Sequence, residues 1–503
     1  MSLKRIEHPE RPPGIHTGPC PVTQAFHPRP TSNRGTQRKP TMHLADSRPA
    51  ILPMALLALL LTLGACAGDG AATATGALDG GDVDLAWTTE EAYAIGGYEA
   101  IEWDAFGNVG GVGFDDAGNL YVLDTQASQI RVVGLDGQLV RSFGRQGEGP
   151  GELNRPDELV VLPDGRVAVY DFGKFGWVTY DADGEWIEDI MAPDPGNVQL
   201  LGNFSVAGDD AVIARVVGQI RMTEGPGSDS ESESEPEEEG EPIVKLSLSQ
   251  GAESQTVFRA WEPPEPEGPE SEFSSESSGN VMQIRMSQLV AFEPGVRFAG
   301  LPDGGFAVLD STTYRVEVFD AVGAPVGVIE RPIAPTPVTD AIREAEQGRQ
   351  MAEVEEREAS GDETGGLRIL GGGGIRNADM SGMNQMMRER VENMAFYPEI
   401  PVVEQLAADH EGRIWVQRSS GQPGEPGPTD IVLPDQTYVG TLPADGIRIP
   451  SAFGPNGLAA WIETDEFDAE RIVVKRIGHH VKFDLRLLIK ATCFTIRLFN
   501  ALQ

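Results

Sequence analysis

The chain is poor in the residues that most often carry catalysis and cross-linking. It has three cysteines, Cys20, Cys66 and Cys493, and none between residues 67 and 492. That span therefore holds no disulfide and no thiolate metal site, and its stability must come from packing and sheet hydrogen bonds. Histidine is also scarce: of seven, only His410 lies between residues 67 and 478. One imidazole cannot build a multi-histidine zinc site. His410 falls in a turn, Ala408-Asp409-His410-Glu411-Gly412, and reads as an exposed turn residue rather than the centre of a Ser-His-Asp relay. Basic residues are outnumbered, 39 Lys and Arg against 78 Asp and Glu, for a net charge of -39. Residues 1–65 carry +5 and residues 478–503 carry +3, which leaves -47 between them. Such a surface repels phosphate backbones and excludes nucleic acid as a partner; calcium or basic proteins are the more natural counterparts.

Long apolar runs are missing except for one. Residues 51–66 read ILPMALLALLLTLGAC. The stretch 54–63 has the length of a signal-peptide h-region and is short for a bilayer span. It ends in Leu63-Gly64-Ala65-Cys66, which resembles the bacterial lipobox. Small residues admit the backbone to a peptidase site, and the Cys66 sulfur would carry the diacylglycerol. A Gly/Ala/Thr-rich stretch follows, so residues 67–84 are expected to form a flexible tether. The signal starts late. Met42, His43, Arg48 and the apolar run would make an ordinary signal peptide. Met1 to Pro40 is thus expected to be an over-extended reading frame, with Cys20 outside the mature protein. The chain is expected to be exported and lipid-anchored to the cell membrane or outer membrane, facing the periplasm or the cell surface, and to touch the membrane only through its lipid.

What the chain has in abundance is glycine (60) and proline (37), and one phrase repeated. DDAGNLYVLD (115–124) recurs as LPDGRVAVYD (162–171), LPDGGFAVLD (301–310) and ADHEGRIWVQ (408–417), with weaker copies at 206–215 and 453–462. The turn glycines fall at 118, 165, 208, 304, 412 and 457, with direct spacings of 47, 43 and 45 residues. The two longer gaps, 96 and 108 residues, each contain an insertion. A period near 45 with all-β texture is that of a four-stranded propeller blade. In the second unit, residues 158–162, 166–170, 176–180 and 186–190 read as successive strands, innermost first. Second strands such as Leu120-Tyr121-Val122-Leu123 are apolar throughout, as expected of a strand buried on both faces between blades. The last unit supplies only residues 458–462 and 471–477, as an inner and a third strand. Spare strand-like sequence at 92–103 (AYAIGG, YEAIEW) precedes the first unit. The expectation is an all-β, six-bladed β-propeller over residues 85–477, with an N-terminal strand completing the sixth blade and a helical insertion between blades 4 and 5.

The segment FGRQGEGPGELNRP (143–156) resembles the loops of NHL-repeat proteins, in which a Gly-rich stretch precedes an apolar residue and proline. Together with the lipobox, the chain resembles bacterial six-bladed propeller lipoproteins of that group. The resemblance covers roughly residues 85–477 and implies architecture; propellers host too many functions for it to imply one.

Two insertions interrupt the blades. Residues 223–280 are low-complexity and acidic, solvated loops around a strand pair at 243–248 and 255–261 that should finish blade 3. Residues 338–395 hold a helix-like stretch, 340–358, and a second with Met383, Met386, Met387, Val391 and Met394 on one face. That stripe reads as a packing face in preference to an adaptable partner groove. The glycines at 371–374 are a hinge, since no Lys-Ser/Thr follows. The tail, residues 478–503, is basic and apolar; it reads as non-native sequence, with an amphipathic membrane-contact helix as the other reading.

Propeller ligands usually sit at the central channel, among loops entering the innermost strands. Here those loops offer Asn108, Asn154, Arg155, Asp157, Asn203, Arg297 and Ser451. Arg155, Asp157, Asn203 and Arg297 are the candidate ligand-binding residues. The two arginines could grip a carboxylate or sugar acid, or tie neighbouring blades by ion pairs. Asp124, Asp171 and Asp310 end equivalent strands and are expected to accept backbone N–H bonds in the following turn rather than to bind metal. No catalytic residue and no metal ligand stands out. The expected function is a monomeric, lipid-anchored scaffold that binds a protein, glycan or small molecule at the envelope. The alternative is a propeller hydrolase, such as a calcium-dependent lactonase, with calcium as its cofactor. The lipobox reading makes a direct prediction: Cys66→Ala should lose incorporation of labelled palmitate and release the protein from the membrane fraction, whereas an unchanged label would remove the anchor.

Overall fold

The computed structural model describes residues 78–191, 197–221, 240–248, 254–262, 268, 271–277, 280–360 and 381–479. The start segment, h-region, lipobox, Gly371–374 and the tail from residue 480 lie outside the described residues, as do most of the acidic runs.

Six antiparallel four-stranded sheets follow the six repeats. Innermost strands are Val109–Phe114, Pro156–Val161, Asn197–Ala207, Arg297–Gly300, Val403–Ala408 and Ala452–Phe453. From each, the chain turns at a repeat glycine into a second strand and then moves outward. In blade 2 the four strands are Pro156–Val161, Val167–Asp171, Gly176–Tyr180 and Trp186–Met191. The turn glycine needs positive φ, +84° at Gly118 and +87° at Gly165, which only glycine adopts without strain. Second strands such as Leu120–Asp124 and Val167–Asp171 are buried at every residue.

Apolar side chains from neighbouring blades form six clusters. Tyr121, Leu123 and Ile130 of blade 1 pack on Leu159, Val167 and Val169 of blade 2. Equivalent clusters join blades 2 and 3, 3 and 4, 4 and 5, and 5 and 6. The sixth sets Val112, Leu120 and Val122 of blade 1 against Leu458, Ala460, Ile472 and Val474 of blade 6. The last blade therefore meets the first, and the molecule is a closed six-bladed β-propeller.

Closure is made by the strand Trp87–Gly96, the outermost of blade 6, antiparallel to Glu470–His479 from Trp87↔His479 to Gly96↔Arg471. The strand begins earlier than AYAIGG and excludes YEAIEW. Gly96 and Gly97, both at positive φ, turn the chain away at that point. The Tyr98 ring instead lies 4.3 Å from that of Phe467, tilted by 33°. The sixth blade also differs from expectation at its centre: Leu458–Thr464 is its second strand, and its innermost strand is the two-residue Ala452–Phe453. The pair Glu241–Ser247 and Ser254–Ala260 forms the third and fourth strands of blade 3. In the Gly-rich loop 143–156, Leu153 is fully buried in the cluster between blades 1 and 2, and its carbonyl accepts from Gly147 N at 3.0 Å. The glycines let the loop fold tightly enough to deliver that anchor.

Between blades 4 and 5 stand two helices, α1 (Asp340–Ser360) and α2 (Ser381–Glu392). Val391 and Met394 are buried with Val354 of α1 and Ala291, Met387 packs against them and Met386 is buried too, so the described part of the stripe is a packing face of the helical insertion. Short pairings, Val290–Ala291 with Ala395–Phe396 and Thr336–Pro337 with Glu399–Ile400, fasten the insertion to the loops around blade 4.

Residues 78–84, expected in the flexible tether, are instead bound to blade 5. Asp84 bridges Thr441 in parallel, and Leu85 N donates to Thr441 O at 2.9 Å. Beneath them lies a buried charge network. Arg331 pairs with Asp430 at 2.9 Å and Asp82 at 3.0 Å, Arg418 pairs with Asp82 at 2.6 Å, and the Tyr438 ring lies 4.7 Å from the Arg331 guanidinium. Thr441 Oγ1 donates to Asp430 at 2.6 Å, and Arg331 also donates to the carbonyls of Leu78 and Gly80. Asp430 is fully buried and its other guanidinium, Arg418, stands farther off at 3.5 Å, so removing Arg331 would leave a buried carboxylate short of its main counter-charge in low dielectric. Arg331→Ala should therefore cost about 3–5 kcal/mol in urea unfolding. A loss under about 1 kcal/mol, the scale of an exposed pair, would contradict the network's burial.

Candidate functional site

The six innermost strands enclose a central channel of about 930 Å³. Blades 1 and 2 approach closely along its wall, because a Cβ at Gly113 would lie 2.7 Å from Val161 and one at Gly110 would lie 2.9 Å from the Asp157 carbonyl oxygen. Near the strand starts, the register slips at a corresponding place in three blades: between Val109 and Gly111, Pro156 and Glu158, and Val403 and Gln405. Such bulges re-aim side chains at sheet rims. In blade 3 the register breaks between Gly202 and Ser205, with Asn203 at a φ of +55°.

These irregularities bring polar groups to an otherwise apolar lining. Glu158, Asn203, Ser205, Arg297 and Glu404 all line the channel. At the end where the innermost strands turn outward it is lined by Asp116, Asp209, Asp409 and His410, with His410 Nε2 3.4 Å from Asp116. His410 is thus an exposed turn residue and also part of the channel rim. Burial pushes the Glu158 carboxyl up to about 7, with Asp157 adding to the shift. Glu404 is also raised by burial, against the opposing pull of the Ser419 hydroxyl and Arg297. Burial, with Arg215 nearby, lowers Arg297, while Glu404 favours its charge. Arg297 donates through Nε to Glu404 O at 2.8 Å and through Nη1 to Val296 O at 3.1 Å. Among the described residues it makes no ion pair.

Of the four residues singled out from sequence, Asn203 and Arg297 line the channel and Arg155 and Asp157 do not. Arg155 lies over the Phe172 ring at 4.8 Å, and Asp157 is exposed. Asn108 and Asn154 serve the loops: Asn108 Oδ1 accepts from Thr125 Oγ1 at 2.6 Å, and Asn154 N donates to Asp171 at 2.7 Å. Glu158 and Glu404 were not anticipated. The repeat alignment places both at the start of an innermost strand, and an acid heading an otherwise apolar run (DELVV, VEQLAA) is the signal that could have found them.

The strand-end aspartates tie loops together. Asp124 accepts from Gly107 N and Ala127 N at 3.1 and 3.0 Å and pairs with Arg131 at 2.9 Å. Asp171 accepts from the amides of Asn154, Arg155, Gly173 and Lys174. Asp310 departs from this pattern and accepts from Trp261 N at 2.8 Å, beyond the last strand of blade 3. Among the described residues there is no group of three or more His, Cys, Asp or Glu side chains able to hold a metal ion.

Fold and channel together define the class: a six-bladed β-propeller with a polar tier set into its axial channel. Residues 104–199 match the family described as 6-bladed beta-propeller. A search of curated proteins finds no match. Solved structures similar to the chain include a member of the duf4221 family from Bacteroides vulgatus, at 10% identity and a TM-score of 0.43, covering 79% of this chain and 100% of that one. A gluconolactonase from Xanthomonas campestris is similar at 11% identity and a TM-score of 0.31, covering 81% and 99%. A calcium-binding protein, regucalcin, from Agrobacterium tumefaciens is similar at 12% identity and 0.30, covering 80% and 95%.

The raised Glu158 carboxyl fixes a pH dependence. Below its ordinary value of 4.5 it is neutral folded or unfolded, and its contribution is flat. Between 4.5 and about 7 the unfolded chain gives up the proton first, so stability falls as pH rises; above that the loss is constant. The full shift corresponds to about 3 kcal/mol, reduced here because the group meets channel water. Glu158→Gln should match the parent in urea melts at pH 4 and exceed it by about 1–2 kcal/mol at pH 8. Equal stabilities at both pH values would refute a buried acid at this position.

Proposed function

We propose that the chain is an extracytoplasmic binding module, held to the envelope by lipid on Cys66, whose channel takes a small hydroxylated carboxylic acid of the sugar-acid class. The observation that carries this reading is Arg297: half-buried in the channel wall, donating only to backbone carbonyls, and making no ion pair among the described residues of a strongly acidic chain. An arginine fork presented to a cavity suits a carboxylate ligand. Glu158, Glu404, Asn203 and Ser205 surround it with groups that bond hydroxyls. A carboxyl with its pKa near 7 can donate as well as accept at neutral pH, which suits a ligand rich in hydroxyls. Export rests on the apolar run and lipobox of residues 51–66. Among the described residues, no helix is long and apolar enough to cross a membrane.

Calorimetry of the full chain with galacturonate and glucuronate tests the reading. Binding is expected, with neutral hexoses binding more weakly, and Arg297→Ala should reduce affinity by roughly 10-fold or more. No binding, or an unaffected Arg297→Ala variant, would overturn it. Chelation separates the alternative: the melting temperature should be unchanged by EDTA, and a marked fall would favour a calcium-dependent hydrolase instead.

A further inference from the structure

A second cavity of about 290 Å³ lies between the helical insertion and blades 4 and 5. One side is formed by Glu346 and Arg349 of α1, the other by Ser419 and the loop 422–424 after the second strand of blade 5. Arg297 and Glu404 line both this chamber and the axial channel. They are therefore the common wall, and the Arg297 guanidinium, without an ion pair among the described residues, stands at the junction of two spaces.

The chamber has its own character. Phe292, Ile400, Pro401 and Pro423 give flat apolar surface, while Glu293, Ser419 and Gln422 add hydrogen-bonding groups. That mixture suits a sugar ring, which has apolar C–H faces and a polar rim. The charge of Arg349 is already committed: it holds Glu346 through two bonds, at 2.8 and 2.7 Å, and also bonds Glu353. The free anion anchor is thus Arg297. Without α1 this side of the chamber would be open, so the insertion supplies a wall to a ligand site, beyond its own packing.

From this junction, and resting on the reading of the channel as a sugar-acid site, we propose that the chain binds an acidic oligosaccharide. One unit occupies the axial channel, the next occupies the chamber under α1, and a carboxylate sits on Arg297 between them.

The test compares galacturonate with digalacturonate on the full chain and on Gln422→Trp. Gln422 is exposed on the chamber side and does not line the channel, so the bulky variant blocks the chamber without touching the channel. The parent should bind the dimer at least roughly 10-fold more tightly than the monomer, the gain expected of a second occupied subsite. In Gln422→Trp that gain should vanish while monomer affinity stays the same. If monomer and dimer bind the parent equally, or if the dimer's advantage survives in Gln422→Trp, the chamber is not a subsite and the channel reading stands alone. If neither ligand binds the parent, the channel reading fails and takes this one with it. A loss of monomer affinity in Gln422→Trp would also overturn the separation of the two spaces. Circular dichroism of the variant, matched to the parent, keeps misfolding out of the comparison.

Discussion

The structure depends on apolar contact between neighbouring blades. A second strand such as Leu120–Asp124 is buried on both faces, one against each neighbouring sheet, and no blade can satisfy that demand alone. Six units meet it only in a ring, and the ring must be tied shut. The tie is the strand Trp87–Gly96, which pairs with Glu470–His479 so that the first and last long strands of the described residues lie in one sheet. Trp87 packs its ring edge against Trp415 of blade 5 at 5.7 Å, so the closing strand also belongs to the packing between blades 5 and 6. With blade 6 completed in this way, its face packs on blade 1 and the ring has no terminal blade among the described residues.

Much of this was legible in the repeat. The positive-φ turn glycines and the apolar second strands set the blade count and register, because a turn needing Gly and a strand needing two apolar faces leave few other sequences. The clasp of residues 78–84 was not legible. Its composition reads as a spacer, and what orders it is a long-range network to Arg331 and Arg418, more than 240 residues away. The two-residue innermost strand of blade 6 was missed for a related reason: Ala452–Phe453 is too short to show periodicity, and only its pairing with Ala459 and Ala460 defines it. At the channel, Asn203 and Arg297 were read as residues of the entering loops; they do line it, but from inside the long strand Asn197–Ala207 and from the first position of Arg297–Gly300. Glu158 and Glu404 sit at register slips, where strict alternation no longer says which way a side chain points.

The channel shows how a strongly acidic protein can still offer an anion site. Its carboxyls are arranged at some cost: Glu158 and Glu404 are pushed toward their neutral forms by burial, which weakens the field they would otherwise impose on Arg297. The guanidinium keeps its own bonds to backbone carbonyls, which position it without cancelling its charge. The helical insertion adds a neighbour to that arginine without competing for it, because Arg349 is held by glutamates of its own helix.

The clasp on blade 5 has a mechanical consequence. Chain entering at Leu78 meets Arg331, Asp82 and the edge of blade 5 before it reaches Trp87. Tension drawn through the preceding residues would fall first on this knot, seated between blades 4 and 5, and not on the strand that zips the wheel shut. A propeller pulled from its leading end is thereby guarded against peeling open at its own seam.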